Sequence, residues 1–327
     1  MVSLADSARN VDYAFKDIPI IDLSNVSNND DPIARKNLAE EIKNACMNVG
    51  FFYVKNHGVE ESVIQKAFGK SQDFFALPLE AKMKIENKTT PNFKGYSPLL
   101  SGNNDPNNNG DLQEGFEFGW ESLPEDDENN HDGAMAGANV WPEELPEFRE
   151  AALKYYHAVV NLGKSLFPMF ALALGLEEGF FDDKTKHSAA LMRMLHYPPQ
   201  TGPVDDRILG IGAHTEWCFT ILWQEPGIQA LQVLNAKKEW INAPPIPGED
   251  LGDQLARWTN DIFKSTVHRA INRSGVKRYS IPLFFGTDYD VRLEPFPGCV
   301  TSERPMKYEV ITAGEYVKSK LAATYGH

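Results

Sequence analysis

Between residues 188 and 300 the chain is cut into short segments that alternate in polarity and are bounded by Pro and Gly. ALMRMLHYPP, IGAHTEWCFTILWQ, LQVLN, EWINAPPIPG, STVHRAI, RYSIPLFFG and VRLEP follow one another, each short and broken before a helix can extend. Such a succession predicts a many-stranded antiparallel sandwich or barrel. Closing the sheet also removes the exposed edges that so many strands would otherwise present.

The preceding part reads differently. IPIIDLS (18–24) is a short strand. Asp31 and Pro32 can cap and start a helix running to about Val49, with Gly50 to end it. FFYV (51–54) is a second strand, and a second helix covers about 60–76 until Pro78 stops it. A long helix is expected from Pro146 to Leu174, kinked or split at Pro168. Residues 97–133 are expected to be mostly loop, because SGNNDPNNNG and ESLPEDDENNHDG are rich in turn formers. The aromatic stretch DLQEGFEFGWE between them can dip into a pocket, which makes this loop a candidate lid. A last helix is expected at about 312–324. The expected organisation is a helical and strand framework over 1–187, a β core over 188–300, and a C-terminal helix and tail over 301–327, packed as one unit.

Charge and cysteine content narrow the partners. The formal net charge is -14, with no basic face in the sequence, which argues against a nucleic-acid partner. The three cysteines, Cys46, Cys218 and Cys299, are too few and too far apart for a disulfide framework or a CxxC zinc site. MVSLADSARN lacks the basic start and apolar run of a signal peptide. No apolar stretch approaches the roughly 18 residues that span a bilayer. The expectation is a soluble, cytoplasmic protein of a reducing compartment.

Chemistry-bearing residues cluster in the β-rich half. His214 and Glu216 are i and i+2, which on a strand share a face. His268 lies on another expected strand. Two imidazoles and one carboxylate on one face of a metal leave the opposite face open, the arrangement of non-haem Fe(II) oxygenases. Arg278 and Ser280 again share a face, and a guanidinium with a hydroxyl is a good clamp for a carboxylate. Arg193 and Tyr197 share a face with Leu191 and Leu195. A lone HxE or RxS carries little information; the ordered set carries the argument.

With these motifs in place, the chain resembles the isopenicillin N synthase-like group of iron- and 2-oxoglutarate-dependent dioxygenases over nearly its whole length. PIIDLS and GFFYVKNHGV resemble the N-terminal signature, and LHYPP, GIGAHT, LQVLN, GDQLARWTN, KSTVHR and RYSIPLFFG follow in the family's order. GYSPLLSGNNDPNNNGDLQEGFEFGWE and the tail AGEYVKSKLAATYGH are similar to fungal members. The resemblance implies an α+β, mainly β fold: a double-stranded β-helix (jelly-roll) core with N-terminal and flanking helices. It implies Fe(II) on His214, Glu216 and His268, and 2-oxoglutarate and O2 as co-substrates. Arg278 and Ser280 would bind the distal carboxylate of 2-oxoglutarate, with Tyr197 hydrogen-bonding it and Arg193 and Phe285 walling the pocket. A small molecule would be hydroxylated, desaturated or cyclised, with release of succinate and CO2, as in secondary metabolism.

Three departures from the family pattern bear on the site. The usual HxD is here His214-Thr215-Glu216, whose carboxylate reaches about 1.5 Å further. The stretch between Glu216 and CFTILWQ is one residue shorter, which would turn the following side chains over unless a bulge or turn absorbs it. In PPIPGEDLGDQLARW one barrel strand is nearly missing. These leave two other readings: an iron oxidase that needs no 2-oxoglutarate, and a non-catalytic binding protein on a degenerate oxygenase fold.

Overall fold

The computed structural model describes residue 4 and residues 14–28, 30–90, 92–103, 110–121, 138–188, 190–200, 209–216, 218–245, 248–250 and 253–325. Its first elements follow from their caps. β1 (Ile20–Asp22) precedes α1 (Pro32–Asn48), where Asp31 accepts hydrogen bonds from the Ile33 and Ala34 amides at 3.1 and 2.9 Å. β2 (Phe51–Lys55), α2 (Glu61–Phe75) and a short α3 (Leu79–Met83) follow. β3 (Gly95–Ser97) and β4 (Glu114–Gly119) come next. The aromatic stretch expected to dip from a loop is therefore a fully buried strand, β4. Of the remainder of that candidate lid, 104–109 and 122–133 lie outside the described residues. α4 (Pro146–Ala173) runs through Pro168 without being split there.

The β-rich half supplies β5 (Ala190–Tyr197), β6 (Ile211–His214), β7 (Phe219–Gln224), β8 (Leu231–Leu234) and β9 (Trp240–Asn242). β10 (Gly248–Asp250), α5 (Asp253–Trp258), β11 (His268–Ala270) and β12 (Arg278–Phe285) complete the core. The strand expected to be nearly missing is β10, three residues long, and it still pairs with β2 and β7. A ribbon of β13 (Arg292–Leu293) and β14 (Ile311–Thr312) leads into α6 (Ala313–Tyr325). No helix among the described residues is long and apolar enough to cross a membrane.

Eight strands form a major sheet in the order β1-β2-β10-β7-β12-β5-β4-β3, and four form a minor sheet in the order β6-β11-β8-β9. Together they make the jelly-roll core. β4, β5 and β12 at the heart of the major sheet are largely buried on both faces, and period-two alternation sorts their side chains between them. Phe116, Phe118, Met192, Met194, Ile281, Leu283 and Phe285 join the main core against Phe148, Tyr156, Val159 and Phe167 of α4. Gly163 permits this approach, since a Cβ there would lie 2.9 Å from the Phe285 ring. The opposite face carries Leu191, Leu195, Tyr197 and Phe284 and looks into the barrel. Phe285, expected to wall the pocket, thus faces the helices instead. One residue's shift in parity puts Phe284 inside.

Candidate metal centre and anion clamp

β6 and β11 are antiparallel neighbours, with His214 and His268 directly opposite. Opposed residues of such a pair are natural side-chain neighbours, and the two imidazole centroids lie 4.3 Å apart. Each ring is oriented through Nδ1, which donates to a carbonyl: Gly212 O at 2.8 Å for His214 and Thr266 O at 3.1 Å for His268. That leaves both Nε2 lone pairs facing one point. The Glu216 Oε1 atom completes the group, 3.7 Å from His214 Nε2 and 3.3 Å from His268 Nε2.

Glu216 does not reach this point as the sequence suggests. β6 ends at His214, so the pair is not two positions on one strand; Glu216 lies in the connection to β7. Because Glu216 stands past the end of the strand, strand alternation does not set the direction of its carboxylate. Ser265 Oγ donates to the Glu216 carbonyl at 3.4 Å and helps fix the loop.

Neighbouring segments hold the histidines. Gly50, at φ +80°, lets the 264–266 segment approach so closely that a Cβ there would lie 2.5 Å from Thr266 Oγ1 and 2.6 Å from Lys264 O. Thr266 Oγ1 donates to Val49 O at 2.6 Å, and Lys264 N donates to Cys46 O at 3.0 Å. The end of α1 therefore positions the carbonyl that orients His268. Phe51 packs edge-on against the His268 ring at 5.2 Å. On the other side, buried Asp111 accepts from Gly212 N at 2.9 Å and steadies the carbonyl that orients His214.

The electrostatics match a cation site. Burial opposes ionisation of Glu216, yet hydrogen bonds and charge from His214 and His268 outweigh it and hold the carboxyl below its usual range. Burial likewise opposes charging of His214, but Glu216 outweighs it and raises that imidazole. Burial, and then the charge of His214, lower His268. The ligand atoms of the three residues all lie within 4.8 Å of one another. Cis ligands about 2.1 Å from a shared octahedral ion stand about 3 Å apart. Two nitrogens and a hard oxygen at nearly this spacing fit a divalent iron.

The major sheet supplies the second half of the site. Arg278 stands opposite Tyr197 and Ser280 opposite both Leu195 and Gln224, so all share the inner face. The Arg278 guanidinium is 1% exposed, lies 4.8 Å from the Tyr197 ring centre, and donates Nη2 to Gln224 Oε1 at 3.0 Å. Its Nε and Nη1 are buried without a hydrogen-bond partner among the described residues. Orphaned donors on a buried cation are the mark of a site shaped for an anion.

Arg193 sits on this face too, but four residues from Tyr197, about 13 Å along the strand. Its Nε donates to Glu117 at 2.8 Å, and Glu117 also accepts from Ser97 Oγ at 2.7 Å. The structure thus ties Arg193 to Glu117 rather than bringing it beside Arg278. Glu117, Gln224 and Asp111 went unnoticed in the sequence. Only the register of β4 and β7 against β5 and β12 reveals the first two.

Comparison with known proteins agrees with this geometry. Residues 18–144 match the family described as non-haem dioxygenase in morphine synthesis N-terminal, and residues 188–287 match the 2OG-Fe(II) oxygenase superfamily. The 2-oxoglutarate-Fe(II) type oxidoreductase hxnY of Emericella nidulans is 37% identical over 318 residues, covering 94% of this chain and 90% of its own. Homoarginine-6-hydroxylase 2-ODD-233 of Oryza sativa subsp. japonica is 32% identical over 327 residues, covering 95% and 98%. A full-length Neurospora crassa protein, crystallised in complex with alpha-KG and thymine, superposes with a TM-score of 0.81 at 29% identity, covering 94% of this chain and 96% of that one.

Proposed function

This chain belongs to the 2OG-Fe(II) oxygenase superfamily and is an iron- and 2-oxoglutarate-dependent dioxygenase, and from that premise we propose which of its residues carry the reaction. His214, Glu216 and His268 hold Fe(II). Arg278 holds the distal carboxylate of 2-oxoglutarate, with Ser280 and Tyr197 beside it. The observation that carries this reading is the Arg278 guanidinium, buried and with two donor nitrogens unused.

When bound, iron and 2-oxoglutarate supply an oxidant made from O2, with release of succinate and CO2. The chain's own residues bind, orient and exclude. Gln224 and the Tyr197 ring set the direction of the Arg278 fork. Gly212 and Thr266 keep the Nδ1 protons of the two histidines in place, so Nε2 remains the ligand atom. Leu195 and Tyr197 pack against Ala270 and Ile211 of the metal-bearing strands and keep water from the space between the sheets.

The substrate is a small molecule with a polar group and an apolar body. Support comes from the inner wall, where the Arg193–Glu117 pair offers one polar corner beside Leu191 and Phe284. It also comes from relatives: the Neurospora crassa protein was crystallised with thymine, and 2-ODD-233 is named for homoarginine. The acidic charge supports a role apart from nucleic acid, and three buried thiols that form no disulfide support a cytoplasmic location.

The test adds Fe(II) and then 2-oxoglutarate to the protein without oxygen and follows the visible charge-transfer band of the chelate. Saturation at one equivalent is expected, followed by succinate formation once air is admitted. Iron without a band overturns the clamp assignment and favours an oxidase that draws all its electrons from the substrate. Failure to bind iron overturns the ligand assignment.

A further inference from the structure

Behind the Arg278 clamp, on the face of the major sheet that meets the helices, lies a buried ionic row. Glu114 of β4 is 5% exposed and is reached by three groups: Lys82 Nζ of α3 at 2.7 Å, Tyr96 Oη of β3 at 2.6 Å, and His196 Nδ1 of β5 at 2.8 Å. Facing a carboxylate, that Nδ1 carries the proton and donates. The His196 ring in turn stacks on Tyr279 of β12, with centroids 4.9 Å apart and planes inclined by 25°. His196 Nε2 is buried without a hydrogen-bond partner among the described residues. At the far end, the Tyr279 amide donates to Glu225 at 2.8 Å.

The register makes this row the back of the clamp. Glu114 is paired with His196, and His196 with Tyr279, straight across three strands. One residue along the same strands, on the opposite face, Tyr197 is paired with Arg278. Whatever fixes His196 against Tyr279 therefore fixes Tyr197 against Arg278. A buried Lys–Glu pair is a poor source of stability, since apolar groups of equal volume commonly do as well. What it supplies is direction: hydrogen bonds at fixed lengths resist the sliding and tilting that apolar contacts allow.

We propose that Glu114, Lys82 and His196 are positioning residues for co-substrate binding, holding β5 and β12 so that the Arg278 fork meets its carboxylate. This rests on Arg278 being the clamp. The row lies on the face turned away from the barrel interior, so its effect passes through Tyr197 and Arg278.

The experiment compares Glu114→Gln, His196→Phe and Arg278→Lys in the full chain. Each is loaded with Fe(II) and titrated anaerobically with 2-oxoglutarate; kcat, KM for 2-oxoglutarate and the thermal midpoint are then measured. His196→Phe keeps the ring on Tyr279 and removes the hydrogen bond, so it remains informative if Glu114→Gln folds poorly. Both row variants are expected to weaken 2-oxoglutarate binding by about tenfold, as small misplacements of a binding group do. Iron stoichiometry should stay at one, and kcat at saturating 2-oxoglutarate within about twofold, the signature of lost ground-state binding. Row variants that bind 2-oxoglutarate like the parent, while Arg278→Lys binds weakly, overturn the positioning role and leave the clamp intact. Normal binding by Arg278→Lys removes the clamp, and the inference with it. Parallel loss of iron, kcat and thermal midpoint in His196→Phe also overturns it, because the row would then merely be structural.

Discussion

Replacing Arg278 with Met separates function from stability, because the two depend on different nitrogens of one side chain. Without 2-oxoglutarate, Arg278 gains a hydrogen bond to Gln224 at 3.0 Å and a stacked contact with Tyr197. A charge-assisted bond contributes about 1.5–3 kcal/mol and a desolvated cation–π contact about 2 kcal/mol. Against them stands the burial of a cation that is 1% exposed, which costs several kcal/mol. These contributions nearly cancel, so the ligand-free Met variant should lie within about 1 kcal/mol of the parent, or about 3 °C in thermal midpoint. Binding behaves otherwise. Nε and Nη1 have no hydrogen-bond partner among the described residues. Two charge-assisted bonds to a carboxylate amount to at least about 3 kcal/mol, and their loss raises the Kd for 2-oxoglutarate about 150-fold. At a concentration that is 100 times the parent's Kd, the ligand stabilises the parent by about 2.7 kcal/mol and the variant by only about 0.3 kcal/mol. Anaerobic band titration and paired melting curves, with and without 2-oxoglutarate, measure both quantities. A variant that saturates at the parent's concentration refutes the clamp. One whose ligand-free midpoint drops by about 10 °C or more, several kcal/mol on this scale, refutes the cancellation and makes Arg278 a structural residue.

Glu216→Gln keeps the volume of the third ligand and removes its charge; stoichiometric Co(II) binding should weaken by about 3 kcal/mol, some 150-fold, and unchanged binding in an anaerobic titration would show that the carboxylate is not a ligand. Gly50→Ala forces a Cβ to within 2.5 Å of Thr266 Oγ1 at a left-handed φ; it should destabilise the fold by about 1–3 kcal/mol and weaken metal binding at least about tenfold by displacing the carbonyl that orients His268, whereas a stability loss with normal metal affinity would break that link. Glu216 raises the His214 imidazole above its ordinary value, and a metal needs that imidazole neutral. Protons therefore compete, and apparent Co(II) affinity should fall as pH drops, beginning above the ordinary imidazole value of about 6.5; equal affinities at pH 8 and pH 5.5 would contradict a ligand role for His214.

What the sequence discloses here is local. The Asp31–Pro32 cap marks α1 to within a residue because a helix start is decided by its own few side chains. Arg278 and Ser280 share the inner face, as their spacing requires, because β12 is a regular strand through both. Spacing fails at Glu216 for the opposite reason: the strand ends two residues earlier, and a loop follows no parity. β4 was hidden for want of contrast. Its six residues are all buried, and its acidic groups, Glu114 and Glu117, are matched to partners on β3 and β5. Its neighbours in sequence are rich in Asn and Asp, which masks a buried strand as part of a loop. The Lys82–Glu114–His196 row could not be read at all, since His196 lies 82 positions from Glu114 and only register brings them together.

The two halves of the site stand on different sheets, and this has a consequence for how the enzyme holds its co-substrate. The proposed metal ligands belong to β6, β11 and the loop after β6; the proposed clamp belongs to β5 and β12. No strand pairing among the described residues joins the minor sheet to the major one, so side-chain packing and hydrogen bonds of the flanking segments set their separation. Leu195 and Tyr197 of β5 meet Ala270 and Ile211 there, and Phe51 and Tyr53 of β2 meet Leu231 and Val233 of β8. Apolar packing fixes a distance but resists sliding weakly, whereas a molecule bound to iron at one end and Arg278 at the other, as proposed, would resist it strongly. Hydrogen bonds also cross between the halves: Asn272 Nδ2, just past β11, donates to Pro198 O at 3.3 Å, just past β5; Tyr53 Oη of β2 donates to Pro244 O at 2.6 Å, just past β9; and Thr266 Oγ1 donates to Val49 O at 2.6 Å. On that assignment 2-oxoglutarate would add a polar connection through the centre of the barrel to these, making the ligand part of what aligns the site it enters.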